Sequence, residues 1–474
     1  MMNTYLNWFK KVINVLIELI LFFAIIATLY VFTSVFSGTT RILLFGTLIV
    51  IYGLVIYFFK TKIKTILNKI INCLTKTDTK TMIIILVLTM IILKTIYAIL
   101  FFFDVNGGDV SIYMDIADQI VNTGNLHSDA ISHLFGAGIH FAIFKYLNLP
   151  IHIGMFIVFF IGTIINFVSF KDIIGKEKAF IVVMLYILMP SSILLTFCPT
   201  HEIFLYMYLS ILIYVFNKLL KEENKLKIVL FSLLSIICSI LACLVNPSGY
   251  IIWIIMALVI LLSKVKANKK LIVIFTLLLS ILGSNLLTRC LDVNEHVTTM
   301  NTYTILIHGS NPESLGEQVD GYPLKQMRMY IYDTNKDFSD ASFENAGKNV
   351  LLNQYGYLLS HPINLLELVA HKFYILWSGN HYSIEMASTY NGINNIEFYI
   401  FLAISTLIYL FILTVGLVYS KKKEDEIYVS NYKLAILGCF AVTMLSIVTN
   451  KYSLYVTLFI YLISFYKIDI DENK

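Results

Sequence analysis

Residues 82–103 read MIIILVLTMIILKTIYAILFFF, and residues 104–117, which follow directly, read DVNGGDVSIYMDIA. The first stretch is long and apolar enough to cross a bilayer as a helix, which takes about 20 residues. The whole chain shares this character, since 58% of its 474 residues are hydrophobic and only 14% are charged. Soluble domains carry about 25% charged residues. The sequence therefore predicts an all-α polytopic membrane protein and excludes a soluble enzyme.

The charge of the loops predicts their side of the membrane. Four loops are rich in lysine: 60–80, 217–227, 264–270 and 421–423. By the positive-inside rule these loops lie in the cytoplasm. Residues 104–130 contain five Asp and no Lys or Arg, and residues 288–395 contain 11 acidic and 6 basic residues. We therefore expect these two acidic segments to lie outside.

The apolar run 131–147 decides the number of crossings. If it crosses the membrane, every later basic loop moves to the outside. It also carries polar and small residues that suit a lipid-facing helix poorly: His133, Gly136, Gly138, His140 and Lys145. We expect a re-entrant or interfacial segment here, which leaves about 12 transmembrane helices and both termini in the cytoplasm. The expected spans are 12–36, 42–59, 82–103, 151–170, 179–197, 203–216, 228–245, 251–263, 271–287, 396–420, 433–449 and 451–468.

These features divide the chain into four parts. They are an N-terminal two-span extension with a basic loop (1–80), a transmembrane core (81–287), an extracytoplasmic loop domain (288–395) and C-terminal transmembrane helices (396–474). In the loop domain, Ser339-Asp340 predicts a helix start, and an amphipathic helix over 363–377 suits the membrane surface. No phosphate-binding glycine loop and no basic patch with interleaved aromatic residues occurs, so neither a nucleotide-driven pump nor nucleic-acid binding is indicated.

The acidic stretch after the 82–103 span gives the strongest chemical signal. Gly107-Gly108 permits a sharp turn, and Asp109 is placed to cap the next helix. A carboxylate at the membrane surface can act as a general base toward an acceptor hydroxyl. It can also hold a divalent cation, Mg²⁺ or Mn²⁺, that neutralises a phosphate leaving group. The alternative is that Asp109 only caps its helix.

The span, the acid and Tyr113 four residues later resemble the first outer loop of GT-C-type membrane glycosyltransferases. This class includes protein O-mannosyltransferases, lipid A aminoarabinose transferases and bacterial cell-surface homologues. The resemblance implies a GT-C fold and a polyprenyl-phosphate-linked sugar donor, used on the outer side of the membrane. It makes Asp109 the catalytic or metal-binding residue, with Asp104 as the less certain match.

Further stretches resemble motifs of the same class in the same order. They are Pro190 to Glu202, with the outer pair Thr200 and Glu202; Asn246-Pro-Ser-Gly249; the G-x-N-x-x-S-x-G element of Gly309 to Gly316; His361-Pro362 with Lys372 and Trp377; and Asn450-Lys451-Tyr452. Asn246 stands where Arg is usual, and the last element lacks the usual Glu and has Lys for Arg. The Gram-positive-like matches and the Lys-, Ile- and Asn-rich composition indicate a bacterial plasma membrane, with a cell-envelope glycan, lipid or protein as acceptor.

The candidate site follows from these matches. Asp109, Glu202 and Asp104 are the candidate catalytic acids, and Asp109 with Glu202 the candidate metal ligands. Glu202 can instead cap its span, and Trp377 can instead anchor the protein at the interface. Lys94 lies mid-span, where a lysine is costly, so we expect it to face inward. The candidate substrate contacts are Tyr113, His201, Lys94, Arg289, Asn311, Lys372, Trp377, Lys451 and Tyr452.

Two other functions fit a polytopic protein of this size. A lipid-linked glycan flippase or transporter predicts charged residues within the spans, and only Lys94 fits. A polysaccharide polymerase or ligase relies on arginines in its outer loop, which here are Arg289 and Arg328.

Overall fold

The computed structural model of the chain describes residues 2–33, 37–101, 109–124, 132–246, 266–290, 295–319, 321–334, 336–379, 382–390, 392–419, 427–446, 456–466 and 468. The helices are α1 (Met2–Phe32), α2 (Gly38–Leu74), α3 (Thr79–Leu100), α4 (Asp109–Thr123), α5 (Ser132–Tyr146), α6 (Ile151–Ile174), α7 (Lys176–Leu188), α8 (Pro190–Leu194), α9 (Glu202–Lys221), α10 (Lys225–Val245), α11 (Ala267–Cys290), α12 (Glu295–Gly309), α13 (Tyr322–Asp333), α14 (Asp340–Ser360), α15 (Pro362–Trp377), α16 (Tyr382–Thr389), α17 (Asn395–Val418), α18 (Ile427–Leu445) and α19 (Thr457–Tyr466). A 3₁₀ turn, Leu195–Phe197, follows α8.

The fold is a bundle of apolar helices. Within the described ranges, eight helices are long and apolar enough to cross a membrane, and the bent pair of α7 and the half-helix Pro190–Phe197 makes a ninth span. The apolar parts of α18 and α19 are shorter, Tyr432–Leu445 and Thr457–Tyr466. The predicted span 251–263 lies outside the described residues. The prediction of an all-helical polytopic membrane protein is confirmed, and the described part of the chain contains no β-strand.

The segment expected to be re-entrant or interfacial forms α5. Its 15 residues extend for about 22 Å, which is short of the roughly 30 Å of a bilayer's hydrocarbon core. Two glycines bring α5 close to its neighbours. A Cβ on Gly136 would overlap the Leu244 carbonyl oxygen of α10, and a Cβ on Gly138 would overlap Ile116 of α4. The glycines therefore serve helix packing, and they bring α4 onto the bundle.

A polar network joins α6 to α9 in the middle of the bundle. The Asn166 side-chain amide donates to the Ser210 hydroxyl at 2.8 Å and to the Tyr206 hydroxyl at 3.2 Å. The Thr163 hydroxyl lies 3.2 Å from the same Tyr206 oxygen. Polar side chains buried at this depth need partners, because water is absent from the hydrocarbon core. The network therefore fixes the register of α9, which begins at the candidate site.

The segments predicted to be cytoplasmic meet at one end of the bundle. Asp172 at the end of α6 pairs with Lys218 at the end of α9, with 2.7 Å between Oδ2 and Nζ. Lys176 donates to the Thr77 carbonyl oxygen after α2 at 2.7 Å, and Lys269 donates to the Leu219 carbonyl oxygen at 3.2 Å. The described parts of the basic segments 60–80, 217–227 and 264–270 thus lie together, as a single membrane orientation requires, and the basic loop 421–423 lies outside the described residues.

The predicted loop domain is helical, and its two predicted helices are present. Ser339 caps α14, since its hydroxyl oxygen accepts a hydrogen bond from the Ser342 amide. Pro362 then begins α15. Rather than lying free, α15 packs against the first span, with the Phe373 ring 5.8 Å from the Phe23 ring. The N-terminal span is therefore part of the same packed body as the loop domain.

Candidate functional site

The candidate site is built around a broken span. α7 ends at Leu188, and Pro190 starts a half-helix that turns by 68° from it. Proline has no amide hydrogen and cannot continue a helix, which explains why the break lies just before Pro190. The Ser383 hydroxyl of α16 donates to the Ser191 carbonyl oxygen at 2.6 Å. The break is thus held by a neighbouring helix of the loop domain.

Lys94 of α3 also contacts the half-helix. Its side chain is buried, and its ammonium donates to the Thr196 hydroxyl at 2.7 Å and to the Thr196 carbonyl oxygen at 3.3 Å. The same nitrogen lies 3.1 Å from the centroid of the Phe197 ring. Lys94 therefore faces inward, as its mid-span position predicts, and no carboxylate of the described residues pairs with it. Its substrate contact stays a prediction.

Glu202 begins α9 and is completely buried. The Thr200 hydroxyl donates to Oε2 of Glu202, and Nε2 of His201 lies 3.1 Å from Oε1. The first turn of a helix also favours a negative charge, because its free amide groups carry partial positive charge. The Thr200 hydrogen bond and the helix start thus stabilise one carboxylate oxygen without solvent, and the imidazole lies close to the other. The predicted catalytic and metal-binding roles of Glu202 stay predictions.

His201 joins α9 to α4. Nδ1 of His201 lies 2.8 Å from the Tyr113 hydroxyl, and both residues are buried. The side-chain nitrogen of Asn246 can only donate and it bonds Nε2, so Nε2 accepts and the ring proton is on Nδ1. Nδ1 then donates to the Tyr113 hydroxyl. The side-chain nitrogen of Asn246 lies 3.2 Å from Nε2, so the start of the Asn-Pro-Ser-Gly element reaches the same histidine.

Asp109 is the first residue of α4, and Tyr113 follows one turn later. One helical turn rises about 5.4 Å, so the start of α4 lies next to the Tyr113–His201 contact. The Asp109 side chain lies outside the described side chains, and Asp104 lies outside the described residues. Their predicted catalytic roles therefore stay predictions. Three of the sequence motifs nevertheless meet at His201: the first outer loop with Tyr113, the motif that ends at Glu202, and the motif that begins at Asn246.

A second cluster contains the other motifs. Asn311 forms a turn, since its side-chain oxygen accepts from the Glu313 amide at 3.0 Å. A Cβ on Gly309 would overlap the Ser446 backbone, and a Cβ on Gly316 would lie 2.5 Å from Cε of Lys372. The turn 309–316, α15 and the end of α18 therefore pack closely together. Asn311 is buried and stabilises this turn, and its predicted substrate contact stays a prediction.

Lys372 holds the second cluster together. Its completely buried ammonium donates to the carbonyl oxygens of Thr443, Met444 and Ser446 at 3.1, 2.9 and 2.7 Å. These carbonyls end α18, where they have no partner within the helix. Burial lowers the pKa of Lys372 to about 7, while the three carbonyls favour the charged form. All three donors cap the end of α18 in this structure, and the predicted substrate contact of Lys372 stays a prediction.

Trp377 offers no surface for a sugar in this structure, because its ring is completely buried. It lies one turn after Phe373, and the two rings occupy the same face of α15, 6.4 Å apart. That face turns toward the first span and α18, since Phe373 contacts Phe23 and Phe440, and the predicted substrate contact of Trp377 stays a prediction. The Arg289 side chain is outside the described side chains, and Lys451 and Tyr452 are outside the described residues.

His140 of α5 is held by hydrogen bonds within the protein. Nδ1 of His140 donates to the Gly136 carbonyl oxygen at 2.7 Å, and Nε2 lies 2.5 Å from the Tyr208 hydroxyl. Both nitrogens are thus used, and His133 lies outside the described side chains. Among the residues that the structure describes, no group of three His, Cys, Asp or Glu could hold a metal ion. The predicted divalent cation stays a proposal.

Two contacts at the site were not expected from the sequence. Thr196 binds Lys94, and the Ser191 carbonyl binds Ser383. Both residues fall inside the motif from Pro190 to Glu202. A proline inside an apolar span followed by several hydroxyl residues was the available signal, because a break frees backbone groups that need polar partners.

No family model matches the chain, and no curated protein matches it. Among solved structures, the chain is similar to the crystal structure of ArnT from Cupriavidus metallidurans bound to undecaprenyl phosphate. The similarity covers 81% of this chain and 77% of that chain, with 10% sequence identity and a TM-score of 0.35.

Proposed function

We propose that this protein is an integral membrane glycosyltransferase. It moves a sugar from a polyprenyl-phosphate donor, such as an undecaprenyl-linked sugar, to a glycan, lipid or protein acceptor of the bacterial cell envelope. One observation carries the proposal. The hydrogen bond between Tyr113 and His201 joins the helix that Asp109 begins to the helix that Glu202 begins. The two acids that the sequence motifs single out therefore belong to helices that meet at one place.

In the proposed reaction, Asp109 is the general base. The oxygen of an acceptor hydroxyl attacks the anomeric carbon of the sugar, and the hydroxyl proton passes to the Asp109 carboxylate. The bond between the anomeric carbon and the phosphate oxygen breaks, and its electron pair leaves with the polyprenyl phosphate. Base catalysis of this kind contributes about 10²–10⁴-fold to a rate. Positioning of the acceptor beside the carboxylate contributes further.

Glu202, His201 and Tyr113 are positioning residues in this proposal. The buried Glu202 carboxylate fixes the orientation of His201, and His201 in turn holds Tyr113 one turn below Asp109. An acid buried at a helix start with two polar partners suits this role, because its charge is stabilised without solvent. A negative charge near the anomeric carbon also favours the positive charge that develops there as the phosphate departs.

A divalent cation is a separate part of the proposal. Asp109 and Glu202 would hold Mg²⁺ or Mn²⁺, which would neutralise the charge on the departing phosphate. Glu202 and His201 lie 3.1 Å apart beside the helix that Asp109 begins, and Mg²⁺ prefers oxygen ligands. The reaction above needs no step through the metal, because the Asp109 carboxylate accepts the proton itself.

The test is sugar transfer by purified protein in lipid nanodiscs. Radiolabelled polyprenyl-phosphate sugars are offered with cell-envelope acceptors, with and without EDTA, to the wild type and to Asp109→Asn. Asp115→Asn is the matched control, since Asp115 lies on the same helix and is exposed. We expect transfer by the wild type and the control and a loss of at least about 100-fold in Asp109→Asn.

Other outcomes would assign another function. Equal transfer by Asp109→Asn and the wild type would exclude Asp109 as the base. Translocation of the lipid-linked sugar without transfer would make the protein a flippase or transporter. Growth of a repeating glycan on the lipid carrier would make it a polymerase or ligase. Loss of transfer in EDTA, with recovery on adding Mg²⁺ or Mn²⁺, would support the metal.

A further inference from the structure

The start of α2 places an arginine at a membrane boundary. α2 is a single helix of 37 residues, and its apolar part, 42–59, extends for about 27 Å, close to the roughly 30 Å of a hydrocarbon core. Arg41 directly precedes this part, so it lies at the level of the lipid headgroups. The described basic segments gather at the other end of the bundle, whereas Arg41 lies at the end where α15 of the loop domain packs against α1.

Arg41 stacks on a cluster of three aromatic rings. Its guanidinium carbon lies 4.0 Å from the centroid of the Tyr30 ring of α1, which is a cation–π contact. The Tyr30 ring in turn makes T-shaped contacts with the Phe45 ring at 5.3 Å and with the Tyr374 ring of α15 at 5.2 Å. Arg41 is therefore held where α1, α2 and α15 meet. Stacking uses the face of the guanidinium and leaves its in-plane N–H groups for a hydrogen-bonding partner.

The positive charge of Arg41 has no carboxylate partner in the described part of the chain. Its half-buried guanidinium forms no ion pair there, and its Nε is buried without a hydrogen-bond partner. Glu385 acts electrostatically on the Tyr374 hydroxyl but does not pair with Arg41. Residues 19–77 contain no Asp or Glu. A partly buried cation without a counter-ion is costly, so this place favours the binding of an anion.

Further hydrogen-bond donors lie beside the guanidinium. The Tyr374 hydroxyl oxygen is within hydrogen-bonding reach of Arg41, and when it accepts from the guanidinium its own hydrogen can be donated to an anion. The side chain of Ser37 does not cap α2, so the first amides of the helix carry partial positive charge and have no partner within it. A helical side chain leans toward the start of its helix, which brings Arg41 toward these amides.

The surroundings of Arg41 indicate a lipid as the source of the anion. The next residues of α2 expose apolar side chains, with 70% of Ile42 and 66% of Leu43 accessible. Within the described part of α2, no residue of its most apolar window is buried in the bundle, so this part of the helix faces acyl chains. A phosphate held by Arg41 would therefore have the acyl chains of the same molecule alongside α2. Arginine binds phosphate oxygens through two parallel N–H groups, which suits a phospholipid headgroup.

We propose that Arg41 and Tyr374 form a binding site for the phosphate of an anionic phospholipid. The guanidinium contacts the two charged phosphate oxygens, and the Tyr374 hydroxyl donates to one of them. The first turn of α2 adds its partial positive charge. The bound lipid joins α1, α2 and α15, and its acyl chains lie along the exposed face of α2. This site is separate from the proposed sugar transfer, which takes place beside His201.

Phenylglyoxal, a neutral reagent that modifies arginine, tests this site directly. The chain has three arginines, Arg41, Arg289 and Arg328, and mass spectrometry of their peptides measures each one separately. The protein is placed in nanodiscs of phosphatidylcholine alone or of phosphatidylcholine with phosphatidylglycerol. We expect modification of Arg41 to be at least about threefold slower with phosphatidylglycerol, because charge-assisted hydrogen bonds to the lipid must break first. Phosphatidylcholine protects less, because its own ammonium group neutralises its phosphate.

Two controls separate a specific site from the general charge of the membrane. Arg328 is exposed in the loop domain and should react equally in both lipids. The double variant Arg41→Lys with Thr39→Arg moves the guanidinium to the opposite face of the same turn, away from Tyr30 and Tyr374, and should lose most of the protection. Tyr374→Phe removes one donor and should weaken the protection of Arg41 without abolishing it. Melting temperatures confirm that the variants are folded.

Three results would overturn the proposal. Equal modification of Arg41 in both lipids would make it only a clamp between α1 and α2. Protection of the double variant equal to that of the wild type would show an effect of surface charge alone. Undecaprenyl phosphate or inorganic phosphate is also added to phosphatidylcholine discs. Protection by either of them, with none by phosphatidylglycerol, would assign the site to a polyprenyl phosphate or to a soluble anion instead.

Discussion

The Tyr113 hydroxyl lies 2.8 Å from Nδ1 of His201, across 88 residues of sequence. This hydrogen bond joins the start of α4 to the start of α9, and Glu202 lies on the other side of the same imidazole. The histidine is thus held from both sides, by a phenol and by a carboxylate. A ring held in this way keeps one tautomer and one orientation, which is what positioning within a catalytic site requires.

Removal of the Tyr113 hydroxyl should lower transfer without unfolding the protein. We expect Tyr113→Phe to reduce kcat by roughly five- to tenfold, because a hydrogen bond contributes about 1 kcal/mol and each 1.36 kcal/mol is a factor of ten. Tyr208→Phe removes the equivalent contact to His140 and is the matched control. Radiolabelled sugar transfer and the melting temperature of both variants check this. Equal losses of transfer in both would show that only packing is disturbed.

Tyr113 and Glu202 should act as a unit, because both act through His201. We expect Tyr113→Phe and Glu202→Gln to be non-additive, with a coupling of about 0.5–3 kcal/mol, as is found for residues in one network. The measurement is kcat/KM for the wild type, the two single variants and the double variant. Additive losses would separate the two residues and would reduce Glu202 to a capping residue of α9.

Lys94 tests whether a buried cation is kept for function or for stability. A lysine at mid-span costs about 2.5–3.5 kcal/mol on insertion scales, so Lys94→Met should leave the melting temperature unchanged or raise it. The Thr196 hydroxyl keeps a partner, since it also donates to the Ile193 carbonyl oxygen at 2.8 Å. We nevertheless expect transfer to fall, because the ammonium holds the half-helix that leads to Glu202.

The control for Lys94 is Lys433→Met, since Lys433 is also buried and bonds Asn14 at the other end of the bundle. Its transfer rate should stay within about twofold of the wild type, the usual scatter of a substitution away from the site. A lower melting temperature in Lys94→Met, with normal transfer, would make Lys94 a structural residue.

The sequence predicted the elements of this fold well, and the partners of its buried polar groups less well. Spans and helix starts follow from local rules about apolar length and caps, whereas the break at Pro190 interrupts a span that was predicted as continuous over 179–197. The partner of Lys94 does not, because Thr196 lies 102 residues away and only the packing of α3 against the half-helix brings the two together. Trp377 shows a second reason. α15 exposes Ile363 and Leu366 while burying Leu376 and Trp377, so its apolar pattern does not reveal which side is packed.

The close contact of α12 with α18 should make Gly309 intolerant of a side chain. A Cβ there would overlap the Ser446 backbone, whereas a Cβ on Gly356 of α14 meets nothing within 4 Å. We expect Gly309→Ala to lower the free energy of unfolding by about 1–3 kcal/mol, the usual cost of overpacking. Gly356→Ala should raise it by up to about 1 kcal/mol, since alanine is the better helix former. Melting temperatures in one detergent compare them, and equal shifts would contradict this packing.

Lys372 should make stability depend on pH in a definite direction. Its pKa of about 7 in the folded protein lies below the roughly 10.4 of a free lysine. Between these values the unfolded chain binds more protons at this residue, so the stability contributed by Lys372 rises as pH increases from 7 to 10. Below pH 7 both states are charged, and the cost of burying the ammonium is constant.

The variant Lys372→Gln lacks this titration, and its melting temperature should therefore rise less than that of the wild type over the same range. Lys348→Gln removes an exposed lysine of the loop domain and should follow the wild type. A wild-type slope equal to that of Lys372→Gln would show that the three carbonyl oxygens keep Lys372 charged throughout.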